Sequence, residues 1–157
     1  MDSSFYINDG SGDPTMDFAK SPASLMVMAA TKYTRKVSQR LQKDFGIGAM
    51  DWRMLVMLTQ EPDIPVARAT EMLGIDKAAV SRALTRMHKD GLVDFKAPQN
   101  DPRRKTWTLT KKGKDLHADM LDTALEMQDA LLASASYLDI KTLNKILHQM
   151  LENIEEM

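Results

Sequence analysis

A chain of 157 residues is long enough for one domain with a real hydrophobic core, and 43% apolar with 27% charged residues is an ordinary soluble composition. There is no cysteine, which excludes disulfides, thiolate nucleophiles, thiolate metal sites and thiol-based redox sensing. No apolar run reaches membrane-spanning length and no apolar h-region opens the chain, so a cytoplasmic protein with no membrane association is expected. The net charge of −1 hides a sharp division: residues 77–112 carry ten Lys/Arg against three Asp, a net of +7. Residues 113–157 carry three Lys against nine Asp/Glu, a net of −6. A basic middle followed by an acidic end points to a polyanion-facing surface on an acidic body.

Residues 1–22 hold Gly10, Gly12, Pro14 and Pro22 among Ser and Asp without a period, and read as a flexible N-terminal arm. From Ala23 to Phe45, apolar residues at Met26, Ala30, Tyr33, Val37, Leu41 and Phe45 mark one helix face, ended by Gly46 and Gly48. A second helix carries Trp52, Leu55, Val56 and Leu58 and stops before Pro62. Pro65 suits the first turn of a short third helix burying Ala69, Met72 and Leu73, with Gly74 as its C-terminal cap. Asp76 is the expected N-cap of a fourth helix from Lys77 to about Asp90, with Val80, Leu84 and Met87 inward. Alternation over 92–96 and again over 106–110, around a basic segment containing Pro98 and Pro102, predicts a β-hairpin with a long tip. Two helices follow. One, from Lys111 to about Ser134, is apolar on two sides, and the last has an apolar seam from Ile140 to Met157. Thirteen Met residues fit adaptable core packing.

A short helix, a Gly-containing turn and a second helix with one apolar and one basic face make a helix-turn-helix pattern. With Val80, Leu84 and Met87 fixed to the body, the other face presents Lys77, Ala78, Ser81, Arg82, Thr85, Arg86 and Lys89. A B-form major groove admits one helix, so Arg82 and Arg86 are candidates for guanine edges or phosphates. Ser81 and Thr85 are candidate hydrogen-bonding contacts, and Ala78 can meet a thymine methyl. The hairpin tip concentrates Arg103, Arg104 and Lys105, a set suited to an adjacent minor groove.

These segments, DKAAVSRALTRMHKDGLV at 76–93 and DPRRKTWTLTKKG at 101–113, resemble the MarR (multiple antibiotic resistance regulator) family of bacterial regulators. The wing pattern of that family is matched at Asp101, Arg103, Leu109, Thr110, Lys112 and Gly113. One departure is Pro102, which stands where many members place the first of two Arg after the wing Asp. The resemblance implies a mainly α fold with a small β-hairpin wing. In it, residues 49–112 form a winged helix-turn-helix, and 23–48 and 113–157 supply dimerisation helices of a single domain spanning 23–157. It implies a repressor that binds pseudo-palindromic double-stranded DNA as a homodimer, with half-sites about 34 Å apart. The dimerisation candidates are Leu121, Leu125, Leu132, Ile140, Leu143, Leu147, Met150 and Ile154. It further implies release by a small effector, commonly a phenolic or aromatic acid. Met26, Lys32, Tyr33, Trp52, Arg53, Met57 and Met120 are the candidate lining, and Lys32 or Arg53 would hold a carboxylate.

No Ser–His–Asp set, phosphate-binding glycine loop or paired-carboxylate context is present, so no enzyme, catalytic residue or cofactor is expected. His88, His117 and His148 fall on different helices, and no metal site is expected. Two rival readings stand beside the regulator: a winged-helix module that binds an acidic protein, and a constitutive repressor without an effector.

Overall fold

The computed structural model describes residues 6–7, 15–98 and 104–157. The chain divides between Met120 and Leu121 into two compact units. Among the described residues no helix is long and apolar enough to cross a membrane.

Within the stretch read as a flexible arm, β1 (Tyr6–Ile7) and β2 (Thr15–Met16) pair antiparallel, with Tyr6 opposite Met16. Helix α1 (Pro22–Phe45) starts where Pro sits at the first position and the Ser21 hydroxyl accepts the Ser24 N–H. It ends at Gly46 in the left-handed region. Of its expected apolar face Val37 and Leu41 are buried, while Ala30 is exposed. Helix α2 (Ala49–Gln60) contributes Met54, Leu55, Met57 and Leu58 to the core. It packs against α1, against the helix at Lys77–Lys89 and against the strand at Thr106–Leu109.

The sequence places Pro65 in the first turn of a helix and predicts two strands. Instead Ile64–Pro65 forms a short strand, β3, and α3 runs Val66–Leu73 with Pro65 as its extended N-cap. The sheet therefore has three strands in the order β3-β5-β4, with β4 at Val93–Lys96 and β5 at Thr106–Leu109. Proline is tolerated in β3 because this is an edge strand. A bidentate pair from Arg68 to Glu61 (3.0 and 3.1 Å) ties α3 to the end of α2, and a 3.2 Å pair from Arg68 to Glu71 lies within α3. Arg68 holds the Glu61 carboxyl below its usual range.

Gly74 adopts φ 60°, which turns the chain from α3 into α4 (Lys77–Lys89) with no Cβ penalty. Asp76 caps α4 by accepting the Ala79 N–H at 2.9 Å. Val80, Ala83, Leu84 and Met87 are its buried side. Helix α5 (Lys111–Leu132) begins in the first unit, where Gly113 lies so close to the backbone of Leu92 that a Cβ would meet its carbonyl oxygen at 2.1 Å. In the second unit α6 (Tyr137–Glu155) opens with a reciprocal capping box between Ser136 and Asp139 and buries no residue. The mainly helical architecture with a small antiparallel wing thus stands as expected from the sequence.

Candidate nucleic-acid interface

The apolar side of α4 fixes the helix to the body, and the opposite side is exposed at Lys77, Ala78, Ser81, Arg82, Thr85, Arg86 and Lys89. Thr85 donates its hydroxyl hydrogen to the Ser81 carbonyl at 2.8 Å, which leaves its oxygen available as an acceptor. Arg82 makes no ion pair or hydrogen bond with a described residue, so its guanidinium projects outward. Arg86, one turn later, differs: its guanidinium is paired with Asp51 of α2, whose side chain is 11% exposed. Sequence reasoning did not single out Asp51. It lies 35 positions from Arg86, and no local pattern links the two.

The wing meets α4 in one groove. A concavity of about 770 Å³ is lined on one wall by Lys77, Ser81, Thr85 and His88, and on the other by Arg104, Lys105 and Thr106. Phe95 and Trp107 also line it, with ring centroids 5.1 Å apart. His88 meets both rings edge-on at 5.1 and 6.1 Å, and its Nδ1 lies 3.0 Å from the Val93 carbonyl. The last turn of α4 is thereby keyed to the hairpin stem. Lys105 places Nζ 4.0 Å from the Phe95 ring centroid, a cation–π contact that holds the charge at the groove. His88 is a further groove residue that the sequence reading set aside. Its signal would have been its place on α4 five residues before the first hairpin strand. Arg103 lies outside the described residues, as do Asp101 and Pro102.

The residues proposed from sequence for an effector are spread over several environments. Met57 and Met120 are core side chains, 2% and 0% exposed. Trp52 is half-buried and stacks on His117 of α5 at 5.2 Å. Arg53 is exposed and donates to Thr34 Oγ1 at 3.0 Å, which links α2 to α1. Tyr33 and Met26 are half-buried and Lys32 is exposed; burial pushes the Tyr33 hydroxyl up from its usual pKa. Of the dimerisation candidates, Leu121, Leu125, Leu143 and Ile154 are exposed in the single chain, and Leu132, Ile140, Leu147 and Met150 are half-buried. Among the described residues no three His, Asp or Glu side chains gather as a metal site.

The MarR family model matches residues 45–104, which span α2, the helix-turn-helix and β4. The HTH-type transcriptional regulator TcaR of Staphylococcus aureus (strain Newman) is 32% identical over 120 residues, covering 73% of this chain and 76% of that protein. The crystal structure of a MarR/EmrR family transcriptional regulator from Acinetobacter sp. ADP1 superposes with a TM-score of 0.80 at 27% identity, covering 86% of this chain and 95% of that one. The S. aureus MepR–DNA complex shares the fold with a TM-score of 0.75 at 22% identity, over 85% of this chain and 98% of that one. A recognition helix and a wing facing one groove, together with this relationship across most of the chain, establish that the protein belongs to the MarR family of DNA-binding transcriptional regulators.

Proposed function

We propose that the chain acts as a repressor, binding a pseudo-palindromic operator as a homodimer and released from it by a small aromatic acid. The observation that carries the DNA contact is the shared groove between α4 and the wing. Lys77, Ala78, Ser81, Arg82 and Thr85 enter a major groove, with Arg82 reading a base edge, and Arg86 lies on the same face. Arg103, Arg104 and Lys105 serve the flanking minor groove or its phosphates. Dimerisation through Leu121, Leu125, Leu132, Ile140, Leu143, Leu147, Met150 and Ile154 sets the half-site spacing at about one helical turn, roughly 34 Å. MepR, which shares the fold, has been solved in complex with DNA, and this supports DNA as the ligand.

For the effector, the supporting observation is the Arg53–Thr34 bond, which joins α2 to α1 at positions next in sequence to the half-buried Trp52 and Tyr33. A carboxylate on an aromatic ring matches that combination. Release requires that the acid bind one spacing of the two wings better than the other.

Selection of bound duplexes from a random pool tests the reading. Two inverted half-sites are expected, and Arg82→Ala should cost about 1–3 kcal/mol on the selected site and relax one base pair in each half. Replacing both Arg104 and Lys105 by Ala should flatten the dependence of log affinity on log salt by roughly 0.9 per lost phosphate contact. No enrichment, with salt-insensitive binding, would leave the acidic-protein module as the better account. Aromatic acids titrated into the operator complex with no release by any would leave a constitutive repressor.

A further inference from the structure

We infer that Asp51 is a positioning residue for operator recognition: by holding Arg86 it sets how α4 is presented to DNA, and Arg86 acts through that latch instead of reading a base. The inference rests on the DNA-binding reading above. The pair joins the first turn of α2 to the last turn of α4, two elements that pack directly. An anion at a helix start and a cation at a helix end are each favoured by the backbone dipoles. The Asp51 side chain is 11% exposed and that of Arg86 is 52% exposed, so the anion is fixed inside and the cation reaches inward to it. For Arg86 to engage a base it would leave Asp51 charged and unpaired in a nearly closed site, a costly exchange.

The anchor itself is held from three sides. Asp51, Trp52 and Arg53 are consecutive, and each meets a different helix. Asp51 takes Arg86 of α4, Trp52 stacks on His117 of α5 at 5.2 Å with the planes 14° apart, and Arg53 bonds Thr34 of α1 at 3.0 Å. A carboxylate on so constrained a turn is a fixed reference point for α4. Arg82, which has no such partner among the described residues, keeps the freedom to read sequence.

The sign of one substitution decides the matter. Operator and random duplexes are titrated with the wild-type chain, Asp51→Asn, Arg86→Gln and the double variant, alongside thermal unfolding of each. Expected are operator affinities lowered about tenfold by either single change, random-duplex affinity held within about twofold, and a double variant no weaker than the singles. If Arg86 were a base reader restrained by Asp51, Asp51→Asn would release it and operator binding would tighten. Unchanged or tighter binding therefore overturns the inference. An equal loss on both duplexes also overturns it, since that marks a merely structural role. Should Asp51→Asn fail to fold, Arg86→Gln at its half-exposed position decides alone. A loss spread across the half-site supports the latch, and a loss confined to one base pair refutes it. A wild-type chain that selects no operator would defeat the regulator reading itself and is seen before any variant is made.

Discussion

The first unit of the chain builds a core and leaves large apolar side chains exposed only at Met16, Phe18, Leu25, Val27 and Met28 among its described residues, whereas the second buries none. In residues up to Met120, Leu41, Met54, Leu55, Val80, Leu84 and Met120 are almost wholly buried by their own chain. From Leu121 onward, Leu125, Leu131, Leu138, Leu143, Leu151 and Ile154 remain 43–69% exposed, and α6 buries nothing. A series of exposed aliphatic side chains along two helices is more than scattered surface apolarity, and marks a surface built for association. The first unit is thus equipped to hold its own shape, and the second is equipped to meet another copy.

The largest effect that would break this contrast is on assembly. Leu147→Asp places a carboxylate in the α6 seam, and the variant should sediment as a monomer at micromolar concentrations where the parent is a dimer. Retention of the dimer would move the seam elsewhere. Within the first unit, Leu84→Ala should lower unfolding free energy by about 2–5 kcal/mol in denaturant titration, at any protein concentration. A concentration-dependent loss would show that this core also leans on the partner. Gly113→Ala should cost about 1–3 kcal/mol, because the new methyl must displace the Leu92 backbone; an unchanged midpoint would mean that α5 shifts freely.

The smallest effect concerns pH. Hydrogen bonds from the Ser136 hydroxyl and backbone N–H hold the Asp139 carboxyl below its usual pKa. A carboxyl depressed in the folded state contributes stability that is present above its unfolded pKa and is lost as pH falls through the folded value. Helix α6, lacking a core of its own in the single chain, should therefore loosen on the acid side before the winged unit does. Amide exchange over residues 137–155 reads this directly, and Ser136→Ala, which removes the hydroxyl and keeps the backbone N–H, should reduce the difference between neutral and acid pH.

Much of this was legible in the sequence because the signals are local. Asp76, Gly74 and the spacing of Val80, Leu84 and Met87 are sufficient to place α4, and alternation around Trp107 and Leu109 places β5. The strand at Ile64–Pro65 was missed because two residues carry no period and Pro65 reads equally well as a helix start. Its partner, Trp107, is far away in sequence. The Asp51–Arg86 pair was missed for the same reason: a first-turn Asp is ordinary in any helix, and only the packing of α2 on α4 gives it a cation. Both are pairings across the fold, whereas the β1–β2 pairing inside the stretch read as a flexible arm is local and was missed because two-residue strands carry no period.

The placement of β5 between β3 and β4 bears on how such a protein diversifies. With Ile64 opposite Trp107 on one side and Lys96 opposite Thr106 on the other, β5 is held along both of its edges. The stretch joining Lys96 to Thr106 is therefore an exchangeable cassette. Changes in its length or charge alter what it touches while that pairing keeps the helical reader in place, so new target preferences can be grafted without redesigning the body.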